Sequence, residues 1–417
     1  MKPAAVILGA NYYTPLGAIR TLGRRGVRVY ALDYHFPTAY ALASKYVYQK
    51  VLCPNVNQDE EGMARFLIEW GKQFDERPVL MAGHDSYALL ISRYAQELAP
   101  YYRLPDNPPG LLEEIINKKG LYRLSQKQGL RMPLTFFVEN EADLAEAMEQ
   151  MRYPCLVKPA LSHEFVRIFR SKCLIVREKD TLAQALSRAR SAGLEVMVQE
   201  IIPGFDDCMY VFDAYINAEG RATHTFTAQK LRQFPINFGS STLTHHCYDP
   251  EVAALGLEYM QRLGYRGYGE IEFKRHAENG KLYMIEINAR LSSLNVLFDK
   301  CGMEFAYIHY RDLIGEPLPD YHLREEKPWA FWHAYEDFLS SWAYLKSGQL
   351  GWRDIIRPWL SHRKAHAIWA ADDLLPLFAF GKNLLAKLLR KAGRLLKGFF
   401  TRSGRGSKGK NHFPDSE

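Results

Sequence analysis

The chain has 417 residues, 47% of them hydrophobic and 24% charged, with a formal net charge of +7. That balance excludes disordered and fibrous classes and suits roughly two or three packed domains. The basic excess sits between Lys382 and Lys410, a stretch without an acid, so it reads as a tail and not as a nucleic-acid surface with interleaved aromatics.

No apolar run approaches the roughly 18–20 residues of a spanning helix. Met1-Lys2-Pro3 flows directly into a strand pattern, so no cleaved leader is expected. Cys53, Cys155, Cys173, Cys208, Cys247 and Cys301 form no CxxC or CxH pair. Reduced cytosolic thiols are the expectation, and a zinc site is not.

The first unit reads strand, loop, helix, strand. Ala4–Leu8 is apolar, a helix N-terminus capable of holding an anion is expected near Gly17, and Val27–Leu32 ends at Asp33. Asp33 stands where dinucleotide folds keep a ribose-binding acid. The loop Gly9-Ala-Asn-Tyr-Tyr-Thr-Pro-Leu-Gly17 is not GxGxxG, so an ordinary doubly wound half-domain is preferred to NAD binding. A helix over 59–72 and the strand Pro78–Ala82 follow, ending on Gly83-His84-Asp85. Asp85 is expected to cap the helix Ser86–Leu98. The proline-rich run Leu104–Gly110 marks a boundary.

Helical segments at Leu111–Asn117 and Gly120–Gln128 precede an extended segment from Met132 and the helix Glu141–Met151. The next strand ends Val157-Lys158-Pro159. Burying an unpaired lysine there is costly, so Lys158 needs an anion partner unless it reaches the surface. The strand from Val196 closes at Pro203-Gly204, with Asp206-Asp207 just beyond. Cys208–Asn217 then turns and returns as Arg221–Leu231. Lys230 and Arg232, two apart on one strand face, suit clamping phosphate or carboxylate oxygens; a basic outer face is the alternative.

The stretch Gly267–Arg290 reads as a hairpin with its turn at Asn279-Gly280. Glu286, Asn288 and Arg290 share one face, as do Glu270, Glu272 and Lys274, while Ile285, Ile287 and Ala289 face the core. A three-residue loop, Glu278-Asn279-Gly280, with Gly280 left-handed, sets Glu272 opposite Glu286. Apposed carboxylates repel unless a cation lies between them. Two carboxylates and an amide suit Mg²⁺, which keeps waters and phosphates as its other ligands. A solvated face paired with Lys274 and Arg290 is the alternative.

In this order the pieces resemble the ATP-grasp superfamily, in particular carboxylate–amine ligases like D-aspartate ligase, over roughly residues 1–315. The resemblance rests on Asn117-Lys118, LVKP with Lys158, QEIIPGFDD, and EIE…EIN followed by Arg290. It implies an α/β fold: a Rossmann-like domain over 1–105, then an α+β ATP-grasp domain of two subdomains over 106–318. It further implies that Lys118 and Lys158 contact ATP phosphates and that Glu200, Ile201 and Ile202 hold the adenine edge. Asp207 would take the ribose, and Glu272, Glu286 and Asn288 would hold Mg²⁺, or Mn²⁺ in its place. Lys119 makes the first lysine ambiguous by one. The loop after Lys158 lacks the usual glycines, leaving Ser162 and His163 as donors.

The implied reaction is attack of a substrate carboxylate on the γ-phosphate, then displacement of phosphate from the acyl phosphate by an amine. Lys230, Arg232 and Arg290 would hold the carboxylate and steady the oxyanion. A kinase or carboxylase, or a membrane-associated scaffold without turnover, are the alternatives. Six of the seven tryptophans follow residue 328, which suggests a helical extension over 319–380, with helices at Trp329–Leu345 and Trp352–Leu360. Beyond it, 381–417 reads as a basic amphipathic segment and a flexible tail from Arg402. Phe378–Phe400, with leucines at helical spacing and six basic residues, suits anionic lipid as well as it suits docking on its own protein. The expected location is the cytoplasm, with contact at the inner face of the membrane.

Overall fold

The computed structural model describes residues 2–159, 168–169 and 173–403, with side chains to residue 392 in the last helix. The loop residues Ser162 and His163 and the end beyond Ser403 lie outside the described residues.

Four parallel strands, β1 (Ala5–Leu8), β2 (Val29–Asp33), β3 (Val47–Leu52) and β4 (Val79–Ala82), form a sheet of order β3-β2-β1-β4. Every residue of β1 and β4 is buried, as expected of a parallel sheet covered on both faces. Helix α1 (Tyr13–Arg24) starts earlier than Gly17, because Pro15 falls in the first turn, where its missing N–H is not needed. Gly17 is instead a packing position: a Cβ there would come within 2.7 Å of Asn295 Cβ. Asp33 is buried, and its Oδ1 accepts from the His35 amide at 2.8 Å; it offers no ribose-binding surface. Helix α2 (Asp85–Arg93) has His84 as its N-cap, without a side-chain bond. Asp85 therefore does not cap it, and its carboxylate is drawn to Arg290.

The linker is fixed to the domain that follows. Asn107 both donates to the Arg266 carbonyl at 2.9 Å and accepts from its amide at 2.8 Å. Pro105 lies so close to Gly267 that a Cβ would approach its Cγ to 2.8 Å, at a φ of +89°. Helices α3 (Leu111–Ile116) and α4 (Lys118–Gln128) come next.

A small antiparallel sheet, order β5-β8-β6-β7, contains β5 (Thr135–Phe136), β6 (Cys155–Pro159), β7 (Leu174–Val176) and β8 (Val196–Glu200). The large sheet has eight strands. Its antiparallel body comprises β9 (Met209–Ile216), β10 (Ala222–Phe234), β11 (Ser240–His246), β12 (Gly267–Arg275) and β13 (Leu282–Asn288). Helix α5 (Pro250–Leu263) covers one face through Val252, Tyr259 and Met260.

The C-terminal region contains helices α6 (Ala334–Ser347), α7 (Trp352–Ser361) and α8 (Leu375–Ser403). It is not helical throughout. Trp329–Trp332, expected as helix, is strand β15, preceded by β14 (Tyr321–His322) and followed by β16 (Arg363–His366). β15 pairs antiparallel with β11 and parallel with β16. Residues 319–366 thus extend the large sheet across the expected boundary at 318. Ala330 and Phe331 are both fully buried, so the strand shows no alternation to distinguish it from a buried helix.

Candidate active site

The hairpin brings Glu270 opposite Asn288 and Glu272 opposite Glu286. The turn alone does not set this register. The loop Ala277–Gly280 closes on a His276 amide to Lys281 carbonyl bond of 2.9 Å, with Gly280 at φ +71°. That closure pairs Phe273 with Met284, and a bulge beyond them shifts the register by one. The expected apposition is reached by another device: Met284 and Ile287 enter the core, and Ile285 is displaced from it.

Lys230 reaches across from β10, Nζ to Glu272 Oε2 at 2.6 Å, with its side chain 2% exposed. Burial and the charges of Glu286 and Glu270 push Glu272 up from its ordinary value, against the pull of Lys230. Lys230 itself stays protonated: burial opposes its charge, but Glu272, Glu286 and Glu270 outweigh burial. Three carboxyl groups are thus held close together in a low-dielectric site, with the Lys230 ammonium among them and the charges of Arg290 and Lys158 acting on them. Among the described residues no group of three or more His, Cys, Asp and Glu forms a metal cage. Glu272 and Glu286 offer two carboxylates and Asn288 an amide, hard oxygen atoms of the kind that could hold Mg²⁺ together with waters and phosphate oxygens.

Glu270 was not assigned from sequence, although its parity with Glu272 pointed to it. Its oxygens accept from Asn288 Nδ2 and Ser292 Oγ, each at 2.7 Å. That fixes the Asn288 amide so that Oδ1 turns toward Arg290 Nη2, at 2.8 Å. Behind it, Asp213 is fully buried and accepts from Tyr268 Oη at 2.5 Å. Burial first, then the charge of Glu270, hold its carboxyl well above the usual range. Arg290 Nε lies 2.7 Å from Asp85 Oδ1, tying the hairpin to the first domain.

The small sheet supplies positive charge facing these acids. Lys158 Nζ donates to Gln199 Oε1 at 2.9 Å, so its nearest partner is an amide and not an anion. Burial first, then the charge of Lys118, push Lys158 down to about 8, while Glu286 and Glu272 act the other way. Lys119 is held by Glu139 at 2.6 Å and Glu195 at 3.0 Å, so Lys118 is the lysine whose charge bears on Lys158. Asn117 accepts from the amides of Lys119 and Gly120 and thereby sets the start of α4. At the end of β8, Glu200 Oε1 accepts from the Leu134 amide at 2.8 Å. Ile201 is half-buried and Ile202 buried just beyond it. Asp206 is buried, bonded to Gln233 Nε2 at 2.8 Å and to Tyr344 Oη. Asp207 is exposed.

Arg232 does not join the cleft. A bulge in β10 at this residue breaks the parity with Lys230. Its guanidinium, 1% exposed, lies against Asp337 with Nε–Oδ1 and Nη2–Oδ2 both at 2.8 Å. Arg232 is thus a buried anchor for α6 and not a substrate clamp.

The family model described as "Carbamoyl-phosphate synthase L chain, ATP binding domain" matches residues 124–321. The D-aspartate ligase of Enterococcus faecium (strain Aus0004) is 28% identical over 292 residues, 67% of this chain and 68% of that protein. The biotin carboxylase domain of Hydrogenobacter thermophilus 2-oxoglutarate carboxylase, solved with MgADP and bicarbonate, superposes with a TM-score of 0.61 at 16% identity. The match covers 78% of this chain and 72% of that one. Carboxyaminoimidazole ribonucleotide synthase of Aspergillus clavatus, complexed with ATP, gives 0.59 at 15% identity over 78% and 80%. The structural likenesses establish the fold.

Proposed function

We propose that this chain, whose fold is that of the ATP-grasp enzymes, is an ATP- and Mg²⁺-dependent ligase that joins a small carboxylate to an amine. The observation that carries the reading is the acidic hairpin face, Glu272, Glu286 and Asn288, set against Lys118 and Lys158. Acids for a divalent cation and lysines for phosphate oxygens describe the two halves of a nucleotide triphosphate clamp. The D-aspartate ligase relative, with two thirds of its length aligned, supports an amide-forming outcome. Bound Mg²⁺, or Mn²⁺ in its place, would neutralise charge developing on the transferred phosphoryl group.

Glu200, Ile201 and Ile202 would bind the adenine edge, with Asp207 at the ribose. Arg290 and Lys230 remain to hold the substrate carboxylate in line with the γ-phosphate and to steady the oxyanion as the amine attacks. The decisive experiment is ADP release with ATP, Mg²⁺ and pools of carboxylates, with and without amines. ADP formed only when both substrate types are present is the expected result. ADP with carboxylate alone would replace the ligase by a kinase or carboxylase, and ATP binding without turnover would favour a scaffold.

A second proposal concerns α8. No helix among the described residues is long and apolar enough to cross a membrane. Its first turns dock on the body, Phe380 against Tyr40 at 5.4 Å and Asn383 Nδ2 on the Thr38 carbonyl at 3.0 Å. Beyond them Leu385, Leu388 and Leu389 are 58%, 52% and 64% exposed, beside Lys387, Arg390 and Lys391. An apolar stripe flanked by cations and carrying no acid suits an anionic bilayer surface, each cation there contributing about 1 kcal/mol. The site would then work in the cytoplasm at the inner membrane face. The full chain should float with phosphatidylglycerol vesicles and not with phosphatidylcholine alone, and Leu388→Glu with Leu389→Glu should abolish flotation. Equal recovery with both lipids would refute an electrostatic docking surface.

A further inference from the structure

Glu270 stands two residues before Glu272 on β12, directly across from Asn288, and is 4% exposed. Both of its oxygens are taken by neutral donors, Oε1 by Asn288 Nδ2 and Oε2 by Ser292 Oγ, each at 2.7 Å. The Ser292 hydroxyl is itself fixed. Its oxygen accepts from the Leu294 amide at 3.0 Å, which commits its hydrogen to Glu270. Ser292 is fully buried. Asn295 Nδ2 donates to its carbonyl at 2.6 Å and to the Thr14 carbonyl at 3.3 Å, so the support runs on to α1 of the first domain.

Burying a carboxylate against neutral donors is costly, and an apolar side chain there would carry no such cost. What the carboxylate does is choose between the two ends of an amide. Asn288 has NH2 at one end and oxygen at the other. Glu270 can only accept, and the Arg290 guanidinium can only donate. Between them the amide has one satisfied orientation: Nδ2 to Glu270, and Oδ1 to Arg290 Nη2 at 2.8 Å. The reverse sets donor against donor at Arg290 and oxygen against carboxylate at Glu270. In the satisfied orientation Oδ1 keeps a second lone pair, whereas a flipped amide would offer hydrogens to a cation.

We infer that Glu270 is a positioning residue, acting through Asn288 to keep an oxygen, and not an NH2 group, available to the divalent cation. The inference rests on the reading of Glu272, Glu286 and Asn288 as the residues that hold that cation. Outer partners of this kind contribute roughly 10–100-fold to metal affinity. The charge of Glu270 also bears on Glu272 and Lys230, so position has to be separated from charge.

The probe is Mn²⁺ with ADP, titrated into the full chain and read by the water-proton relaxation enhancement of the protein-bound ion, without turnover. Glu270→Leu, which removes the acceptor, should weaken Mn²⁺ binding about 10–100-fold while a cooperative melting transition is kept. In an Asn288→Ala background the same change should cost less than about twofold, because its effect passes through the amide. Unchanged affinity in Glu270→Leu overturns the inference. So does an undiminished loss in the Asn288→Ala background, which would make Glu270 a charge and not a positioning group. If Glu270→Leu does not fold, Glu270→Asp decides: it keeps the charge but withdraws it from Asn288, so affinity should fall likewise, and wild-type affinity overturns the inference. Failure of wild type to hold Mn²⁺ with ADP would overturn the cation reading and this inference together, and is seen before any substitution is made.

Discussion

Glu286→Gln is expected to lower ADP release by a factor of about 10³ or more while leaving the protein folded. Metal coordination supplies several kcal/mol of transition-state charge stabilisation, and ~4 kcal/mol corresponds to about three orders of magnitude in rate. Glutamine keeps the shape and one oxygen donor but removes the charge that balances the cation. The half-saturating Mg²⁺ concentration should rise along with the loss in rate, which a merely structural role would not produce. Stability should hold or rise slightly, since the change removes one of the carboxyl groups that crowd Glu272. Glu272→Gln is a poorer test, because it leaves the buried Lys230 ammonium without its 2.6 Å partner and confounds folding with chemistry. Wild-type turnover in folded Glu286→Gln would remove the hairpin face from the metal role.

The hairpin was legible because alternation and a turn signal are local. Its polar parity, the left-handed Gly280 and the Glu272–Glu286 apposition could all be written from Gly267–Arg290. The bulge was not legible, because it answers to tertiary packing: Met284 and Ile287 both enter the core against α5 and β9. The same limit applies to the Glu270–Ser292 contact, which depends on the chain's course after β13, whereas Glu270 opposite Asn288 follows from the hairpin register. It applies again to the C-terminal strands. Trp329–Trp332 is buried on both faces at its centre, so periodicity favours neither helix nor strand. Asp85 was read as a cap because local sequence permits it; its partner Arg290 is 205 residues away. Local chemistry was readable, and long-range pairing was not.

Arg232 shows how large that second category is, and Asp337→Ala should expose it. Asp337 is fully buried. It accepts from Arg232 Nε and Nη2, Thr242 Oγ1, Trp332 Nε1 and Trp359 Nε1, at 2.7–3.0 Å. One carboxylate thus joins β10, β11, β15, α6 and α7. Removing it leaves the Arg232 guanidinium buried without a counter-ion, a loss of about 3–5 kcal/mol, or roughly 10 °C in the melting midpoint of this part of the chain. Arg232→Met with Asp337→Leu should recover much of that loss, since an apolar pair carries no unpaired charge. Burial alone would raise the Asp337 carboxyl, but Arg232 and the two indole donors outweigh it and hold it below its ordinary value. A depressed acid stabilises the fold above its unfolded value of about 4 and loses that contribution only as pH falls below it. The wild-type advantage over Asp337→Ala should therefore be constant from neutral pH down to about 5 and shrink in stronger acid. The refolded double variant also separates the two roles once read for Arg232. ADP release within about threefold of wild type is expected from a structural anchor, whereas a substrate clamp would lose about 1.5–3 kcal/mol, ten- to a hundredfold, with its charged hydrogen bonds.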